Sequence, residues 1–190
     1  MTNARALPSA EFLSSLHRTL DEIDLGAVEA AARAITEAWG QDRRIFVLGN
    51  GGSAATASHL VCDLHGVARG RRGLGAFSLT DGPAVLTAAA NDLGYERAFS
   101  EQVTNNARAG DVVILLSASG DSGNIVRAIG AARDAGARTI GILGFGGGRA
   151  RALVDIAIVV SAAHFGVVES AHAAVVHLLA EIVREGGGPS

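Results

Sequence analysis

Apolar positions along the chain follow two rhythms. Over residues 8–40 they recur at helical spacing. Phe12, Leu16 and Leu20 stand four apart, Ile23 and Leu25 follow, and Val28, Ala31, Ala32, Ile35 and Trp39 share a second helical face. Gly40 then acts as a helix stop. Beyond it, short apolar runs alternate with helical stretches. Residues 44–48, 75–80, 111–116, 138–143 and 156–160 read as strands. Helices are predicted over about 53–65, 85–90, 96–109, 122–135 and 166–185. Strands this apolar, alternating with helices, imply a parallel sheet covered on both faces. Right-handed crossovers then give an α/β fold: a three-layer, doubly wound, five-stranded parallel sheet with an N-terminal helical extension.

At 190 residues the chain fits a single domain, 1–190, large enough to bury a core without staples. Its parts are the helices of 1–40, an α/β core over 41–186 and a tail, 187–190, expected to fray. Aromatics make up 4% of the chain, so Ala, Val, Leu, Ile and Gly must fill the interior. Mean hydropathy is +0.30, yet no apolar run reaches the length of a membrane span. That combination suggests apolar surface hidden in an oligomer, with the N-terminal helices as packing elements, or else a tightly packed monomer. A net charge of −3 argues against nucleic acid as the main partner. The one basic run, Arg69-Gly70-Arg71-Arg72, is short and broken by glycine. Cys62 is the single cysteine, which excludes a disulfide framework or a cysteine zinc site within one chain. Met1–Leu20 lacks the apolar core of a signal peptide, so a reducing cytoplasm and no membrane are expected.

Open parallel sheets bind ligands beyond the carboxyl ends of their strands. Two turns there stand out, each opening a helix. Gly49-Asn50-Gly51-Gly52-Ser53 lets the backbone approach an anion at free helix N–H groups. A dinucleotide fingerprint would require an acidic residue about 20 residues on, and a P-loop would require Gly-Lys-Ser/Thr. Neither is present. Ser117-Ala118-Ser119-Gly120-Asp121-Ser122 supplies three hydroxyls suited to a phosphate monoester, though Ser122 could equally be an N-cap and the other two could brace the turn. Two such loops at neighbouring strand ends favour one small phosphorylated ligand.

Acid–imidazole patterns follow. His59 and Asp63 stand four apart on one helix face. Glu169 and His177 share a face of the last helix, with His172 about 60° round from Glu169. These groups could form an acid/base pair for proton transfer, or a four-ligand zinc or other divalent site if the helices face each other. Asp92, after a short apolar helix, could bond sugar hydroxyls or simply end that helix.

Taken together, Gly49–Ala55 with His59, Ala90-Asn91-Asp92-Leu93-Gly94-Tyr95, Phe99-Ser100, Ser117–Asn124 and Glu169–His177 resemble the sugar isomerase (SIS) domain family, in its phosphoheptose isomerase branch. The resemblance covers essentially the whole chain. It implies a flavodoxin-like fold and a homotetramer that converts sedoheptulose 7-phosphate to a D-glycero-heptose 7-phosphate through an enediol. By resemblance Ser53, Ser117, Ser119 and Ser122 hold the phosphate, and Asn50, Gly51, Gly52, Asp92, Ala118 and Glu169 line the substrate. Asp63 and His177 are the matching catalytic positions, and some members carry zinc at positions matching His59, Asp63, Glu169 and His177. The chain departs from the family pattern where Asp63 replaces Glu, Glu169 replaces Gln, Ser170 replaces Glu, Ala118 replaces Thr and Asp121 replaces Asn. Two carboxylates with two imidazoles make a more anionic nest, suited to a divalent metal. A second reading is a catalytically silent phosphosugar sensor, or an adaptor of the replication-initiator-associating type.

Overall fold

The computed structural model describes residues 6–70 and 73–186; the tail 187–190 and Arg71 and Arg72 of the basic run lie outside them. Two helices come first, α1 (Ser9–Asp21) and α2 (Leu25–Gly40). There follow β1 (Ile45–Gly49), α3 (Gly52–Val67), β2 (Ala76–Ser78), α4 (Pro83–Leu93), a 3-10 turn (Tyr95–Arg97) and α5 (Ala98–Asn106). The chain continues with β3 (Val112–Ser117), α6 (Gly123–Asp134), β4 (Arg138–Gly144), β5 (Ile156–Val160) and α7 (Phe165–Gly186).

The strands pair in parallel in the order β2-β1-β3-β4-β5. This is the doubly wound arrangement anticipated, with its switch point between β1 and β3. Every residue of β1 and β3 is buried. Their side chains alternate between two cores: Ile45, Val47, Ile114 and Leu116 pack with α2, α3 and α7, while Phe46, Leu48, Val113 and Leu115 pack with α5 and α6.

Several boundaries differ from expectation for local reasons. β2 stops at Ser78, short of Thr80, because side chains there take over from the ladder. The Ser78 and Thr80 hydroxyls lie 2.6 Å apart, and Thr80 N–H donates to Ser78 Oγ at 3.3 Å. Pro83 starts α4 early, and the helix runs through Asn91 and Asp92 instead of ending before them. α2 is built into the chain's own core through Val28, Ala31, Ile35 and Trp39, whereas Leu13 of α1 is exposed.

α7 qualifies the expectation about membrane spans. By length and composition it could cross a bilayer. Its buried side chains, among them Val175, Val176, Leu179 and Val183, instead belong to one core. It packs against α1, α2 and α3, so its apolar character is that of a core helix.

Candidate phosphosugar site

The first loop leaves β1 at Gly49 and enters α3 at Gly52, turning through Gly51 at a positive φ of 55°. A Cβ at Gly52 would stand 2.7 Å from a carboxylate oxygen of Glu169, so the absent side chain is what lets α7 set an acid against the start of α3. Ser53 N–H donates to the Asn50 carbonyl and Ala54 N–H to the Gly51 carbonyl, each at 3.0 Å, so the turn is closed on itself and offers an anion the positive end of the α3 dipole.

In the second loop two of the serines hydrogen-bond within the turn. Ser117 Oγ accepts from Gly120 N at 3.0 Å, and Ser119 Oγ accepts from Asp121 N at 3.2 Å. Both hydroxyls do brace the turn, but as acceptors, which leaves each O–H hydrogen for an incoming oxygen. Ser122 is the N-cap of α6, yet its hydroxyl makes no capping bond. Gly120 (φ 67°) closes the loop against the next turn. A Cβ there would lie 1.9 Å from the Gly147 carbonyl, an impossible contact, so a substitution would push the two loops apart. Gly120→Ala is therefore expected to destabilise the fold by roughly 3 kcal/mol or more, read as a lower urea midpoint.

The two loops, with Phe165 and Glu169 of α7, enclose a cavity of about 430 Å³. Asn50, Gly51, Gly52, Ser53, Ser117, Ala118, Ser119 and Ser122 line it, so nine of the expected residues, with Glu169, meet in one place. Among the described residues, no Lys or Arg lines it. What the cavity offers an anion is hydroxyls and the N-terminal ends of α3 and α6.

Further along the seam between α3 and α7 lies a second cavity, of about 210 Å³, bounded by Ala55, Thr56, His59, Ala173, Val176 and His177. At its far end Asp63 Oδ2 is approached by His177 Nδ1 at 3.0 Å and by His59 Nε2 at 3.5 Å. The two imidazoles meet edge to face with centroids 4.7 Å apart. Asp63 Oδ2 is buried, but neither imidazole is aligned to hydrogen-bond to it. Three ligand atoms within 4.8 Å of one another around an unsatisfied buried oxygen fit a divalent cation.

Two expected members stand elsewhere. Glu169 is not in this cluster; it lies over Gly52 in the first cavity. Asp92 is exposed in the last turn of α4, where its Oδ1 accepts from Asn91 Nδ2 at 2.8 Å, and it does not line the cavity.

Sequence reasoning passed over two residues that touch the site. Asn124, 4% exposed, exchanges two hydrogen bonds with Asn50, and Tyr95 Oη donates to Asn50 Oδ1 at 2.8 Å. Both sit inside the motifs noted above, but no spacing rule pairs side chains 74 positions apart. His172, three residues after Glu169, turns the other way. It is 1% exposed, and burial pushes its pKa down to about 4; the Leu143 carbonyl beside the ring pulls weakly upward, though neither nitrogen reaches hydrogen-bond geometry.

A hydroxyl-lined cavity at the switch point of a doubly wound parallel sheet, with an acid–imidazole cluster on the two helices that border it, defines the class: an α/β protein with a polar site at the carboxyl ends of its strands. The SIS domain model matches residues 10–144. A phosphoheptose isomerase from Geotalea daltonii is 40% identical over 159 residues, covering 83% of each chain. The structure of a phosphoheptose isomerase from Neisseria gonorrhoeae superposes with a TM-score of 0.85 at 30% identity, over 93% of this chain and 94% of that one. That from Francisella tularensis gives 0.86 at 28% identity, over 93% and 95%. The chain belongs to the SIS domain family and groups within it with the phosphoheptose isomerases.

Proposed function

We propose that the chain is an aldose–ketose isomerase of phosphorylated sugars, converting sedoheptulose 7-phosphate to D-glycero-heptose 7-phosphate. The observation that carries this reading is the 3.0 Å approach of His177 to Asp63 between the same two helices, α3 and α7, that border the hydroxyl-lined cavity at Gly52 and Glu169. Ser53, Ser117, Ser119 and Ser122 donate to the phosphate, and the carbonyl end of the sugar extends along the seam between α3 and α7. Asp63, as carboxylate, takes the proton from C1. The C1–H electron pair forms the C1–C2 double bond of an enediol as O2 gains a proton. Return of a proton to C2, with loss of one from O1, yields the aldose. His177 carries the proton between O1 and O2. Glu169, beside Gly52, faces the sugar between these ends.

The donor set of His59, Asp63 and His177 fits zinc. When bound, the ion would act as a Lewis acid toward a carbonyl oxygen. Protein purified without a histidine tag is expected to hold about one zinc per subunit by elemental analysis, and His59→Ala to lose most of it. Trace metal in the native protein would count against the site.

The reading carries with it a cytoplasmic homotetramer. α4 supports the assembly: it is apolar, none of its residues is buried, and Val85 and Leu93 are exposed on it, with Tyr95 exposed just after it. Light scattering should give a mass four times the 19.2 kDa of the chain.

Incubation with the ketose phosphate in D₂O tests the function directly. Aldose phosphate deuterated at C2 is the expected product. Neither turnover nor exchange, with or without Zn²⁺, overturns the proposal, and a sugar phosphate bound but never consumed points to a sensor.

A further inference from the structure

Asn50 lines the larger cavity, but its side chain is largely committed to protein partners. Its Oδ1 accepts from Tyr95 Oη at 2.8 Å and from Asn124 Nδ2 at 2.9 Å. Its Nδ2 donates to Asn124 Oδ1 at 3.0 Å. A carboxamide has two lone pairs on oxygen and two hydrogens on nitrogen. The oxygen is therefore saturated, and one Nδ2 hydrogen is all the side chain can still offer a ligand.

The partners come from separate parts of the chain. Tyr95 opens the 3-10 turn after α4, and Asn124 sits in the first turn of α6. Glu96, next to Tyr95, pairs with Arg127 of α6 at 3.3 Å, tying the same two elements together from outside. Three connections thus close around a single amide, and Asn124 itself is buried.

We propose that Tyr95 and Asn124 are positioning residues that turn the Asn50 amide oxygen away from the substrate and present its remaining N–H to an acceptor oxygen of the bound phosphosugar. The inference rests on the isomerase reading above. It makes this wall of the site a hydrogen-bond donor, which favours a phosphate, carbonyl or enediolate oxygen and disfavours a hydroxyl that must itself donate.

Tyr95→Phe removes the donor and keeps the ring that packs on Phe99 at 6.4 Å. The test compares wild type, Tyr95→Phe, Asn50→Ala and the double variant. Each is measured for kcat and KM on sedoheptulose 7-phosphate and for Kd of inorganic phosphate and of a heptitol 7-phosphate, which has no carbonyl. Tyr95→Phe is expected to lower kcat/KM roughly two- to tenfold, the loss of one hydrogen bond. In the Asn50→Ala background that loss should vanish, because no amide remains to orient. A fall in kcat with both Kd values unchanged assigns the N–H to the carbonyl-derived oxygen; a matching rise in both Kd values assigns it to the phosphate. Wild-type kinetics in Tyr95→Phe, or the same loss with and without Asn50, overturns the proposal. A wild-type protein that turns nothing over overturns the isomerase reading instead, and the Kd values then decide the role of Tyr95 by the same cycle.

Discussion

Asp63→Asn is expected to lower kcat by about 10²- to 10⁴-fold, the usual contribution of a positioned acid or base. The amide keeps the size of the carboxylate but cannot take a proton from C1. It also puts an N–H₂ or a neutral oxygen where His177 Nδ1 now lies 3.0 Å from a carboxylate oxygen. KM should change much less, because the loops proposed to hold the phosphate line a separate cavity that Asp63 does not touch. Inorganic phosphate should bind the variant as it binds wild type, which separates lost chemistry from a collapsed site. A variant turning over within about threefold of wild type would remove Asp63 from the mechanism. Asp63→Glu sharpens the point. His177 and His59 already close on the shorter acid, and a carboxylate displaced by about 1 Å can cost on the order of 100-fold. The longer side chain is therefore expected to recover less than full activity even though it restores the charge.

The carboxylate can be singled out because α3 and α7 pack along their length. Much of that frame was legible beforehand. Uninterrupted apolar runs gave five parallel strands, since a strand buried on both faces needs no polar alternation. Glycine and serine at two strand ends pointed to the cradle, because helix N-termini and small turns suit an anion wherever they occur. Pairings across elements were less legible. Helical spacing says that Glu169 and His177 share a face, but eight residues also separate them by about 12 Å of rise. The structure uses that rise: Glu169 meets Gly52, while His177 meets Asp63 further along the seam. Asp92 could not be placed from its motif, since its position depends on how far α4 continues after Pro83. The amide pair of Asn50 and Asn124 depends on β1 and β3 being neighbours, which brings their following loops side by side.

His172 shows the same limit and leads to the second large effect. Its spacing from Glu169 resembled that of a site residue, but a 60° turn of the helix carries it into the core, 1% exposed. Burial depresses its pKa from 6.5 to about 4, so the folded state binds fewer protons than the unfolded chain between those values. Stability is then indifferent to this residue above pH ~7.5, falls as the pH drops through 6.5, and stops falling below about 4. The depression corresponds to a loss of about 3 kcal/mol over that window, a large share of the ~5–15 kcal/mol typical of a domain. His172→Leu should remove this dependence while carboxylate titration remains in both proteins. It should also raise stability at neutral pH, since it replaces a ring whose two nitrogens have no partner with a side chain that needs none. Urea unfolding at pH 7.5 and pH 4.5 measures the difference. Wild type is expected to lose about 2–3 kcal/mol more than the variant on acidification. Equal losses would mean that His172 stays neutral, or finds a proton acceptor, in both states.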